Sequence, residues 1–79
     1  MNEYERAIFD CEILEILARR AERAGDDELA DDLFYEAMVL DFDAAAMPED
    51  QKIGFWEAIN RARKLMGEPQ RIKPKKRRE

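Results

Sequence analysis

Residues 18–41, ARRAERAGDDELADDLFYEAMVLD, decide how the rest of the chain is read. The stretch is dense in charge, yet small and apolar residues return at helical intervals on either side of Gly25. Ala18 and Ala21 precede it. Leu29, Leu33, Ala37 and Leu40 follow, flanked by Ala30, Phe34 and Met38. Intervals of three and four place such residues on one face of a helix. Gly25 accepts the positive φ that ends a helix. Arg19, Arg20 and Arg23 suit the negative end of the helix dipole, and Asp26 or Asp27 caps the next helix, with Glu28 near its start. The stretch therefore predicts two helices joined by a tight turn.

Outward from the turn, the first helix is predicted from about Glu3 to Ala24, with Tyr4, Ile8, Cys11, Leu14, Leu17, Ala18 and Ala21 as its stripe. The second runs from Asp27 to about Leu40; DFDAAAM, residues 41–47, either extends it or forms a separate helical turn. Pro48 suits the first position of a third helix, with Glu49 and Asp50 at its positive end. That helix carries Phe55, Ile59, Ala62 and Met66, flanked by Trp56 and Leu65, and stops at Gly67 and Pro69. The fold class expected is all-α: an antiparallel helical hairpin plus a third packing helix over residues 1–67, followed by a basic tail over residues 68–79. The tail, EPQRIKPKKRRE, has one aliphatic residue and predicts disorder.

Residues 11–44 resemble one tetratricopeptide repeat, a helix–turn–helix unit of about 34 residues. Leu14, Leu17, Ala18 and Ala21 stand where the repeat places large and then small residues on its first helix. Gly25 stands at its turn, and Ala30, Phe34 and Ala37 supply its small–aromatic–small pattern. The resemblance implies that the alanines let two helices approach closely while Phe34 fills the groove between them. It also implies that Glu12, Glu15, Ile16, Arg19 and Arg23 face a ligand. Phe42 stands where the family usually has a helix-ending Pro, so the second helix is free to run on. A lone repeat lacks the stacked neighbours that normally bury its faces, which points to self-association.

Size and composition bound the function. A chain of 79 residues makes one domain at most, and one that buries a modest share of its surface. Cys11, the single cysteine, rules out an internal disulfide and fits a reducing, cytoplasmic setting. The acidic start MNEYERAIFD does not read as a secretory signal, and no apolar run approaches the roughly 18 residues of a membrane span. The chain has no His, so the usual general base and the commonest metal ligand are missing. It lacks a Gly-rich phosphate loop, a nucleophile motif and the spacing of a calcium loop. The reading is a non-enzymatic protein with no cofactor and no metal.

Three surfaces remain as candidates. Phe9, Ile13 and Ile16 form a second apolar stripe on the first helix, which is either covered by the third helix or meets another chain. With Arg19, Arg23, Ile53 and Trp56 they make the expected protein interface, used by a homodimer or by another protein. Asp26, Asp27, Glu28, Asp31 and Asp32 form an acidic face suited to a basic groove, as in phage- or mobile-element-type inhibitors that block a host protein. Residues 1–67 hold 8 Lys/Arg and 17 Asp/Glu, a net of −9, whereas residues 68–79 hold 6 and 2, a net of +4. Arg71, Lys73, Lys75, Lys76, Arg77 and Arg78 therefore either fold back on the acidic body or touch nucleic acid. Such contact would be sequence-independent and salt-sensitive, and the tail has no aromatic residue for base stacking.

Overall fold

The computed structural model describes residues 1–72 and, over them, is all-helical. Helix α1 spans Glu3–Arg23, α2 spans Asp27–Ala45 and α3 spans Phe55–Leu65, with one short 3-10 turn at Glu49–Gln51. Lys73, Lys75, Lys76, Arg77 and Arg78 lie outside the described residues.

Local chemistry explains the boundaries. Asn2 opens α1 with a reciprocal cap: its Oδ1 accepts from the Glu5 amide at 2.7 Å, and its own amide donates to Glu5 Oε1 at 3.2 Å. Gly25, at φ 83°, closes α1. Its amide donates to the Glu22 carbonyl at 3.0 Å and the Asp26 amide to the Ala21 carbonyl at 2.9 Å, which satisfies two otherwise orphaned carbonyls. Asp26 then caps α2, its Oδ1 accepting from the Leu29 amide at 3.2 Å. With Phe42 in place of a proline, α2 continues through DFDAA to Ala45 and stops just before Pro48.

The third helix starts later than the sequence suggests. Pro48 leads into the 3-10 turn, not into α3. Gly54 then adopts φ 93°, a left-handed conformation that no α-helix can run through, so α3 begins at Phe55. Gly54 is also a close approach, since a Cβ built there lies 2.6 Å from Glu5 Cγ. Gly54→Ala is expected to cost about 2 kcal/mol, from the left-handed backbone and the disturbed Glu5 cap. Gly25→Ala, with open space around it, is expected to cost about 1 kcal/mol. Urea midpoints of the two variants check the order.

Helix α1 is the common wall. Both α2 and α3 pack on it and touch one another only slightly. On one side Cys11 Sγ donates to the Ala37 carbonyl of α2 at 3.3 Å. On the other, Glu12 accepts from Arg63 of α3 at 2.8 Å, and Arg20 donates to the Met66 carbonyl just past α3 at 2.6 Å. Of the second apolar stripe of α1, Phe9 packs against the core cluster, and both it and Ile13 stay half-buried. Ile16 is 3% exposed and belongs to the core, so it is no interface residue.

The core is built of small side chains. Eight of its twelve buried apolar residues are alanines: Ala7, Ala18, Ala21, Ala30, Ala37, Ala44, Ala58 and Ala62. On α2 they recur every seventh residue. Methyl groups let helix axes close up, but they remove little apolar area from water. The aromatic residues are left at the margins, among them Phe9, Phe55 and Trp56 beside the cluster of Ile8 and Ile59.

Candidate functional site

Helix α2 has two opposed faces. Ala30, Ala37 and Ala44 seat one of them against the body. About half a turn away stand Tyr35, Met38, Val39 and Phe42, all exposed, with Tyr35 at 64% and Phe42 at 66%. Their spacing, i, i+3, i+4 and i+7, places them in a single stripe. Two aromatics, a methionine and a valine at this exposure make a patch on the order of 400 Å², a size at which patches on soluble proteins are often functional.

Every charged residue of this helix is acidic. Helix α2 carries Asp27, Glu28, Asp31, Asp32, Glu36, Asp41 and Asp43 and no basic residue. By helical phase Glu28, Asp31 and Asp32 continue the apolar stripe toward the N-terminal end. The expected acidic face is thus exposed and lies in line with an apolar patch. Asp26 is partly engaged as the cap of α2.

The residues expected at the interface are scattered. Phe9 and Ile13 are half-buried, and Phe9 shares a shallow depression with Arg61, Lys64 and Leu65. Arg19 and Arg23 are exposed, Arg19 lying 3.9 Å from Glu15. Ile53 is exposed on the loop before α3, its carbonyl accepting from Asn2 Nδ2 at 3.3 Å. Trp56 is half-buried, edge-on to Phe55 with ring centroids 5.0 Å apart. Glu12 and Ile16, ligand-facing by resemblance to the repeat, are both buried, Glu12 against Arg63 of α3. The stripe at Tyr35, Met38, Val39 and Phe42 was missed, although its spacing was visible in the sequence.

A second feature lies where the three helices meet the C-terminal segment. A cleft of about 170 Å³ is lined by Cys11, Glu12, Glu15, Asp41, Ile59 and Arg71, among others. Burial, then the neighbouring Glu12, push the Glu15 carboxyl above its ordinary range, against the opposing pull of Arg19 and Arg71. Burial, then Glu15, Asp41 and Glu12, push the Cys11 thiol up to about 12. The folded chain therefore favours the neutral thiol. Its stabilising contribution is intact below 9.0, the ordinary thiol value, and is lost as pH climbs toward about 12. Near neutral pH, alkylation of Cys11 by iodoacetamide is expected to run at least about 100-fold slower in the folded chain than in urea.

Among the described residues, no three His, Cys, Asp or Glu side chains gather so as to hold a metal ion, and no helix is long and apolar enough to cross a membrane. The chain matches no known protein family. It matches no curated protein and no solved structure.

Proposed function

We propose that the protein is a small interaction module that works by binding and not by catalysis, presenting the outer face of α2 to another protein. The observation that carries this reading is the stripe of Tyr35, Met38, Val39 and Phe42 opposite the alanine seam. An amphipathic helix read through i, i+3, i+4 and i+7 anchors is a common way to fill an apolar groove. The carboxylates along α2 select a groove rimmed by Lys or Arg, which speeds encounter and fixes register.

A foreign partner suits this face better than a second copy. Two copies of α2 laid together, in either direction, bring one acidic helix against another, which is unfavourable. A helix of this kind seated in a basic groove would also block it, so the inhibitor reading fits the same surface. The burial of Ala18, Ala30 and Ala37 fits any closely packed helical hairpin and does not single out a tetratricopeptide-like one. The proposal does not depend on it.

A photo-crosslinking residue at Val39 tests the assignment. Capture of a protein through a basic-rimmed apolar groove, together with a monomeric mass by light scattering, is the expected result. A crosslink only to a second copy would transfer the face to a homodimer. Binding that instead needs residues 73–79 would overturn the reading in favour of the tail.

A further inference from the structure

Met38 brings an oxidisable sulfur into the α2 stripe. The chain has one sulfur in Cys11 and four in methionines, and the fold exposes them unequally. Cys11 is 7% exposed and turns its thiol to the Ala37 carbonyl at 3.3 Å. Met47 is half-buried and packs against the core cluster of Ile8 and Ile59. Met66 is half-buried where α3 passes into an ordered strap. There Arg20 donates to the Met66 carbonyl at 2.6 Å and to Glu68 at 3.1 Å, and Arg63 donates to the Pro69 carbonyl. Asn60 then grips the main chain of Arg71, whose amide donates to Asn60 Oδ1 at 2.7 Å and whose carbonyl accepts from Asn60 Nδ2 at 3.0 Å. The tail expected to be disordered thus begins with residues pinned to the body. Met1 and Met38 are the exposed methionines, and Met38, at 47%, is the one that stands on an apolar helix face.

Met38 follows Tyr35 by three residues and precedes Phe42 by four, which places it between the two aromatic residues of the stripe. We propose that Met38 is an oxidation site through which hydrogen peroxide turns the α2 docking face off, a role that rests on the proposed use of that face. The sulfur lone pair attacks one oxygen of the peroxide. An S–O bond forms as the O–O bond breaks, the proton on the attacked oxygen passes to the departing hydroxide, and water leaves. Sulfur gives up two electrons, the peroxide takes them, and the product is methionine sulfoxide. An apolar thioether has become a polar group with a strong acceptor oxygen. In a partner's apolar groove that oxygen loses its water and gains no donor, which opposes docking. In the free chain it stays in solvent, so the fold is left intact. Methionine sulfoxide reductases reverse the change. Cys11 does not compete for the oxidant, because burial and the neighbouring carboxylates hold it as the neutral thiol.

Hydrogen peroxide added to the full-length chain, followed by peptide mass spectrometry, tests the site. Met38 and Met1 are expected to take up one oxygen at least about tenfold faster than Met47 and Met66, with Cys11 unmodified over the same interval. The oxidised chain should elute earlier from phenyl-agarose while its helical circular dichroism stays unchanged. Met38→Leu, which keeps the apolar volume, should move far less on peroxide treatment, although Met1 is oxidised as before. Methionine sulfoxide reductases with dithiothreitol should restore the late elution of the wild type. Affinity for the partner captured through Val39 should fall at least about tenfold on oxidation of the wild type and hold in Met38→Leu. Met38 reacting no faster than Met47 and Met66, or an oxidised chain with unchanged elution, overturns the proposal. If Tyr35→Ser with Phe42→Ser abolishes binding while the Met38 sulfoxide form binds as before, the docking face stands and the oxidation switch alone is overturned. Binding indifferent to both changes removes the docking face as well.

Discussion

Arg63→Ala is expected to lower the free energy of unfolding by about 3–5 kcal/mol, the usual result of removing one partner from a buried ion pair. Glu12 is only 5% exposed and meets Arg63 at 2.8 Å. Without the guanidinium its carboxylate stays in the seam between α1 and α3 with its charge uncompensated. Few domains of this size have more than about 5 kcal/mol to lose, so the variant should be largely unfolded at room temperature by circular dichroism. The pair itself is a weaker stabiliser than this loss suggests, because bringing both charges out of water offsets much of their attraction. Glu12→Leu with Arg63→Leu should therefore regain most of the stability. A single Arg63→Ala change costing under about 1 kcal/mol would mean that water reaches Glu12.

The second large effect concerns binding alone. Tyr35→Ser combined with Phe42→Ser is expected to weaken partner binding by at least about 100-fold, since exposed aromatics that become buried on association dominate interface energies. Both side chains already stand mostly in solvent. The double variant should keep its urea midpoint within roughly 0.5 kcal/mol of the wild type, as surface substitutions usually do. Reversing Asp31 and Asp32 to Lys should act differently, lowering the association rate and its salt dependence more than it hastens dissociation. Titration calorimetry and stopped-flow mixing with the crosslinked partner separate the two behaviours. If affinity survives in the Tyr35/Phe42 variant, α2 is not the docking element.

The hairpin was readable because its determinants are local. Gly25, the arginines before it, the Asp26 cap and the alanines of α2 each act within a few residues. The start of α3 was misread because Pro48 is a good first helical residue, while the close approach that calls for a glycine at Gly54 is made by Glu5, which lies far away in sequence. The apolar stripe on α1 was recognised, but periodicity cannot say whether the cover comes from within the chain; Ile16 proved to be buried in the core. On α2 the larger residues drew attention from the alanines. Leu29 was taken as an inward residue, yet it is exposed, while Ala30, Ala37 and Ala44 make the seam. Once the alanine side faces inward, Tyr35, Val39 and Phe42 must face out. The strap had no sequence signal, because Asn60, Glu68 and Arg71 are polar residues with no period, joined only by the fold.

The alanine seam has a thermodynamic consequence for recognition. An alanine has no rotamers to surrender, so closing α1 against α2 freezes little side-chain motion and asks for little hydrophobic compensation in return. The long and aromatic side chains of α2 keep their rotational freedom in the isolated molecule. That freedom is surrendered only when a partner clamps them, at about 0.5–1.5 kcal/mol for each rotamer-rich chain. Much of the ordering that a larger protein completes while folding is thus postponed here to the moment of association, which favours a complex that forms readily and also lets go.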